Sequence, residues 1–325
     1  MRILVTGASG HVGTCLVNTL LEQEYDVSVL VHKDSAALKK LPLRIFFGDI
    51  LDIDSLKPAF ADQDIVVHLA AFISVQQGHD QRLQAVNVEG VRNVAKVALD
   101  SGIKKMVHVS SVHAYDTYRL GRPLIESDGP ATSPKHPPYD QSKAEGEKAL
   151  REYIDKGLNA VILNPVGILG PYDDRPSLQG QGIITMLKFP ISIVPKGHFC
   201  WVDVRDVAQA VINSFEKGRT GENYLLSGGS LDITSIVRLG AYAKQQNQWI
   251  FSIAISSLAR LVPLIQRFGK RFSFSSQFTH DALYTLGTDL TVDASKAERD
   301  LDIKWRNIET SVIDAIRWLK DHGKL

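Results

Sequence analysis

Ile3-Leu4-Val5-Thr6-Gly7-Ala8-Ser9-Gly10-His11-Val12-Gly13 decides the fold. Its first three residues are a short apolar run of the kind that forms a buried parallel strand. Leu16, Val17, Leu20 and Leu21 then recur at helical spacing. Strand, glycine turn and helix in that order open a dinucleotide-binding βαβ unit, with a pyrophosphate held at the positive end of the helix dipole. The glycine spacing is GxxGxxG rather than GxGxxG. Glycine allows the turn, brings backbone N–H groups close to phosphate and lets helix and strand pack tightly. The flanking strand and helix separate this stretch from a glycine-rich turn with no ligand.

The pattern repeats outward. Val27–Val31 reads as a second strand, Ile45–Phe47 as a third and Ile65–Leu69 as a fourth, with His68 a packed core histidine. Asp52 or Asp54 is placed to cap the helix running to Phe60. A helix from about Arg82 to Leu99 carries Val88, Val91, Val94, Ala95 and Ala98 as its apolar stripe, and Gly102 ends it. Met106–Val109 is a fifth strand running into Ser110-Ser111. Pro137-Pro138 opens a helix to about Lys156, and Val161–Leu163 is a sixth strand. Strands and helices alternating this regularly predict an α/β doubly wound parallel Rossmann sheet. Beyond Asn164-Pro165, glycines and prolines crowd the chain, before a helix near 204–215 and a strand at Tyr224–Leu226. Residues 1–165, with 203–227 returning to the sheet, form the expected cofactor domain. Residues 166–202 and 228–325 form a smaller, mostly helical C-terminal substrate lobe. The stretch Trp249 to Leu258, ahead of Arg260, Arg267, Lys270 and Arg271, is expected to be a buried helix or else a pocket wall touching a membrane surface.

Composition narrows the class. With 325 residues and 44% hydrophobic content the chain can bury a large core. A net charge of +1 gives no electrostatic reason to expect nucleic acid. Two distant cysteines, Cys15 and Cys200, fit a reduced, cytoplasmic setting and offer no metal-site spacing. No uncharged run is long enough to span a bilayer.

Tyr139 and Lys143 lie four residues apart at a helix start, on one face. A phenol is a poor acid or base at neutral pH, and a neighbouring ammonium is expected to lower its pKa. Lys143 would also hold ribose hydroxyls. Ser111, at the end of the fifth strand, would donate to a substrate carbonyl oxygen. The set is a proton-transfer site for a ketone–alcohol couple beside a nicotinamide. No acid stands at the end of the second strand, where an NAD enzyme usually binds the adenosine ribose, and Asp34 follows only after two basic positions. His32, Lys33 and Lys39 stand near it instead and suit a 2′-phosphate. NADP(H) is therefore favoured, with NAD(H) the alternative.

These residues carry a family resemblance. Thr6–Gly13 matches the TGxxGxxG of the extended short-chain dehydrogenase/reductases. Gly48-Asp49-Ile50 resembles their adenine segment, His68–Ala71 their HLAA, Asn87–Gly90 their NxxG, Ser111 their serine and Tyr139–Lys143 their YxxSK. Asn164-Pro165 replaces their RP, and Trp201–Ala208 resembles their FVHVDDVA. The resemblance implies cofactor contacts at Gly7, Ser9, Gly10, His11, Val12, Gly13, Asp49, Ile50, Leu69, Ala70, Ala71, Asn87 and Pro165. The chain is most similar to the dihydroflavonol reductase and 3β-hydroxysteroid dehydrogenase-like branch, which works on bulky apolar substrates. That branch often has Arg where His32 stands.

His113, Tyr172, Phe199 and Trp201 are candidates for the substrate pocket. The expected enzyme is an NAD(P)-dependent oxidoreductase acting on a small molecule, with a homodimer as the expected assembly. The alternatives are a nucleotide-sugar epimerase or dehydratase with tightly held NAD, and a non-catalytic NADP-sensing regulator.

Overall fold

The computed structural model describes residues 1–32, 38–74, 80–118, 121–255, 257 and 290–325. Its sheet is built on strands apolar on both faces. In β1 (Arg2–Thr6), Ile3 and Val5 join one core and Leu4 the other. The same split recurs in β4 (Ile65–His68), β5 (Lys105–Val109) and β6 (Ala160–Pro165). Such strands need cover on both sides, which is the condition of a parallel sheet. Full burial of a side chain such as Leu4 contributes about 1.5–3 kcal/mol.

With β2 (Asp26–Val31), β3 (Arg44–Phe47) and β10 (Asn223–Leu226), the strand order is β10-β6-β5-β4-β1-β2-β3, and every pairing is parallel. Helices α1 (His11–Glu22), α7 (Val204–Lys217) and α9 (Ser295–Leu301) cover one face. Helices α2 (Ile53–Phe60), α4 (Gly90–Asp100) and α5 (Pro138–Ile154) cover the other. Asp52 caps α2 by accepting from the Asp54 N–H at 3.1 Å. The strand order reverses between β1 and β4, and open α/β sheets bind ligands in the crevice above that reversal.

The expected single helix over 82–99 is divided. A short α3 (Asp80–Gln84) leads into a π-type turn at Ala85–Glu89 before α4. Asn87 in that turn is buried and holds Phe72 through two main-chain bonds of 2.8 and 2.9 Å. Gly146 of α5 lies so close that a Cβ there would stand 2.2 Å from the Asn87 carbonyl oxygen. The Asn87 side chain and the approach of α5 account for the widened turn.

The lobe after Pro165 has more strand than its glycines and prolines suggested. It contains β7 (Gly167–Leu169), α6 (Leu178–Leu187), β8 (Ile191–Pro195), β9 (His198–Asp203), β11 (Gly229–Asp232), α8 (Ile233–Lys244), β12 (Trp249–Ile253) and α10 (Ile308–Asp321). Strands β11, β9 and β7 form one small sheet, β12 and β8 another. A third core joins α6, α8 and α10 through Leu187, Val237 and Val312. Trp249 to Ile253 is thus a strand and not a buried helix. It pairs in parallel with β8, and Trp249 and Phe251 are exposed while Ile250 between them is half-buried. Leu258, Arg260, Arg267, Lys270 and Arg271 lie outside the described residues.

Candidate active site

The glycine turn follows β1 directly. Gly7 has φ +73°, and a Cβ there would stand 2.6 Å from the Ala70 nitrogen, so the turn lies against the end of β4. A Cβ on Gly13 would stand 2.3 Å from the Gly7 carbonyl oxygen. The first turn of α1 has no side-chain cap and no acidic residue. Its exposed N–H groups therefore suit an anion, and the bare backbone cradle fits a dinucleotide pyrophosphate. His11 Nε2 bonds the Pro171 carbonyl oxygen at 2.9 Å and ties the turn to the lobe.

A cleft of about 1030 Å³ runs from this turn to the lobe. It collects Gly7, Ser9, Gly10, His11, Val12 and Gly13, then His32, Asp49 and Ile50, then Leu69, Ala70, Ala71 and Pro165. Ser111, His113, Tyr139, Lys143, Phe199 and Trp201 line its other end. At the adenosine end, His32 Nδ1 stands 3.5 Å from Asp49 Oδ2. Lys33 lies outside the described residues. Lys39 and Tyr172 do not line the cleft: Lys39 sits in an exposed turn, and the Tyr172 ring packs on Trp318 with centroids 4.6 Å apart. Asn87 stands behind the cleft and acts on it through Phe72 and through Ser142, 3.0 Å away.

Ser111 follows β5 in extended backbone, and its Oγ accepts from the His113 N–H at 3.2 Å. That leaves its O–H proton to donate. Tyr139 and Lys143 enter from the first turns of α5. Burial pushes the Tyr139 phenol up, a bond from Ser111 works against that rise, and the Asp140 charge adds to it. Desolvation outweighs the Ser111 bond, and the net shift is upward rather than the lowering expected from Lys143. Burial also lowers the Lys143 ammonium to about 8, with Glu147 opposing the fall. Behind Lys143, His68 and His108 stack with centroids 5.4 Å apart. Burial, aided by Lys143, holds His68 down at about 3, and burial with its neighbours His68 and Lys143 lowers His108. Both rings are neutral at pH 7 and leave Lys143 as the local cation.

Further residues support this set from behind. Asp140, buried beside Tyr139, holds His113 Nδ1 at 3.1 Å. Burial pushes His113 down, but the Asp140 charge and hydrogen bond outweigh it and the net shift is upward. The His113 and Tyr139 rings meet edge to face at 5.6 Å. Asn164 donates to the Ser111 carbonyl oxygen at 3.0 Å and to Glu147 at 2.6 Å. Asn223 completes the group by donating to Glu147 at 2.8 Å and to Asn164 at 2.9 Å. Asp140 adjoins the tyrosine in sequence and could have been weighed. Asn223 carries no local signal.

Residues 3–227 match the family described as "NAD dependent epimerase/dehydratase family". Sterol demethylase protein B of Methylococcus capsulatus is 29% identical, with all of both chains covered. A Stigmatella aurantiaca protein named 4-hydroxy-2-methyl-3-oxo-4-farnesyl-3,4-dihydroquinoline-1-oxide ketoreductase is 27% identical over 98% of this chain and 96% of its own. The solved structure of gox2253 superposes with a TM-score of 0.85 at 28% identity, covering 100% of this chain and 99% of that one. The chain belongs to the NAD-dependent epimerase/dehydratase family and is an NAD(P)-dependent enzyme of the extended short-chain dehydrogenase/reductase type.

Proposed function

We propose that the enzyme interconverts a ketone and a secondary alcohol on a bulky, largely apolar substrate, with NADP(H) as its preferred cofactor. The observation that carries this reading is the wall of the cleft beyond Tyr139. Ile168, Ile183, Met186, Phe199, Trp201 and Ile236 from the lobe make most of that wall apolar, with Arg175, Ser177, Gln179 and Thr185 its polar groups. Residues 166–202 and 228–325 are assigned to the substrate side on the same ground. The names of the sterol and farnesyl-quinoline relatives point to apolar compounds too.

The backbone of Gly7–Gly13 would hold the pyrophosphate, and Lys143 the nicotinamide ribose. The bound nicotinamide supplies or accepts the hydride. Tyr139 carries the proton to or from the substrate oxygen. A phenol kept protonated by burial is set as the acid, which suits ketone reduction. Ser111 donates to the same oxygen, and Asn164 fixes the Ser111 backbone beneath it. His113, held by Asp140, borders the substrate side of Tyr139. NADP(H) is favoured because β2 ends at Val31 with His32 next and no acid there.

A series of ketones with lengthening alkyl groups tests the reading. KM should fall with length until the pocket fills, by roughly 0.8 kcal/mol for each CH₂ that becomes buried. A preference for small polar or sugar-nucleotide substrates, with NAD released only on denaturation, would replace this reading with an epimerase or dehydratase.

A further inference from the structure

The small sheet of β8 and β12 has two unlike faces. Inward, Val194 and Ile250 join the core of α6 and α8, and Ser192 Oγ accepts from Gln248 at 2.7 Å. Outward, the parallel register pairs Ile191 with Trp249 and Ile193 with Phe251. These four side chains are 57%, 69%, 63% and 57% exposed in that order, and Phe189 just before β8 is 59% exposed. Large apolar groups gathered on one face of a soluble protein mark a contact surface. Ile193 also lines the cleft, so the apolar face runs into the cleft mouth.

The two stretches of chain that supply this sheet and the helices beneath it carry charges of one sign. Residues 175–202 and 233–255 contain no Asp or Glu, whereas the whole chain has 36 in 325 residues. Arg175, Lys188, Lys196, Arg238 and Lys244 are their charged groups. At the chain's average frequency five or six acids would fall in those two stretches, so the basic excess there is a feature of the surface and not of the net charge of +1. A second copy is a poor occupant. A two-fold contact would set these cations against themselves, with no carboxylate in either stretch to answer them.

We propose that this face rests on the surface of an anionic phospholipid bilayer. Trp249, Phe251, Ile191 and Ile193 enter the boundary between headgroups and acyl chains, while Lys188 and Lys196 meet lipid phosphates. No helix among the described residues is long and apolar enough to cross a membrane, and the contact is one of lying on the surface. An apolar molecule leaving the bilayer would meet the cleft mouth at Ile193 without crossing water. The docking itself does not depend on the ketone and alcohol reading.

The test is sedimentation of the purified full chain with vesicles of phosphatidylcholine containing about one third phosphatidylglycerol, and with phosphatidylcholine alone. The protein should pellet with the mixed vesicles and be released by salt. Lys188→Glu combined with Lys196→Glu should lower partitioning about tenfold or more, as should Trp249→Ser combined with Phe251→Ser. Both variants should keep wild-type thermal stability, NADPH affinity and turnover of a short water-soluble ketone. These parallel measurements separate failure of docking from failure of the catalytic reading. If the polar variants misfold, wild-type tryptophan emission provides a second readout: it should shift to the blue on the mixed vesicles, and the shift should vanish in Trp249→Phe. Wild-type protein that stays in the supernatant, or variants that bind as well as wild type, would overturn the proposal. So would a wild-type dimer that Trp249→Ser with Phe251→Ser converts to monomer, since a second copy would then cover the face.

Discussion

Gly13→Ala puts the phosphate cradle to a quantitative test. The added methyl would stand 2.3 Å from the Gly7 carbonyl oxygen and 2.7 and 2.8 Å from two backbone atoms of Ala8. The first contact is roughly 1 Å too short, and every obstacle is backbone, so the turn itself must move. Overpacking of this kind costs about 1–3 kcal/mol, and rigid obstacles place it at the upper end. Alanine's better helix propensity returns about 1 kcal/mol, since Gly13 lies within α1. The net loss is about 2 kcal/mol, or roughly 3 °C in Tm for a chain of this size. Displaced N–H groups should also weaken NADPH by at least about tenfold, since hydrogen bonds to charged groups are worth about 1.5–3 kcal/mol each. Thermal unfolding and a fluorescence titration with NADPH measure the two effects. Gly10→Ala is the stability control, because its methyl would meet only the Gly7 oxygen at an ordinary 3.4 Å. A Gly13→Ala protein with wild-type Tm and wild-type affinity would refute the close-packed cradle.

Tyr139→Phe should lower kcat by about 10²–10⁴-fold while leaving NADPH affinity in place, and a near wild-type rate would remove Tyr139 from the chemistry. Lys143→Met should reduce turnover yet stabilise the fold at pH 7 by roughly 3 kcal/mol, because the folded state depresses the lysine pKa to about 8. The folded protein then binds fewer protons than the unfolded chain between pH 8 and the ordinary lysine value. Wild-type stability therefore rises across that window, and the advantage of Lys143→Met, measured by urea unfolding at several pH values, should shrink over it. His32→Asp would set a second carboxylate beside Asp49, and it should weaken NADPH at least about tenfold more than NADH in paired titrations. Equal losses for both cofactors would show that His32 meets no 2′-phosphate.

Sequence reading succeeded where the deciding signal was local. The apolar runs of β1, β4, β5 and β6, the glycines after β1 and the four-residue spacing of Tyr139 and Lys143 each specify a backbone state or a face by themselves. It missed what depends on partners distant in the chain. The π-type turn at Ala85–Glu89 exists because Asn87 meets Phe72 and Gly146, neither visible in a helical periodicity. Trp249 to Phe251 is an unbroken apolar run, and such a run does not distinguish buried helix from strand. Pairing with β8 settled it. Charge spacing around Tyr139 can be read from sequence, while the depth of burial that pushes its phenol up cannot.

The group formed by Glu147, Asn164 and Asn223 also sets an order of events during synthesis. The Ser111 main chain is steadied by Asn164, Asn164 by Glu147, and Glu147 by Asn223, which is 76 residues further along. Asn223 belongs to β10, the edge strand that the chain reaches only after the first part of the lobe. A nascent chain that has left the ribosome only through β6 therefore carries Ser111, Tyr139 and Lys143 but lacks the amide that completes the Glu147 site. The buried carboxylate would then be short of a partner, a cost of about 1–3 kcal/mol or more for a charged group. Docking of β10 is thus the step that both completes the sheet and firms the floor beneath Ser111, ahead of the later lobe segments from Gly229 on.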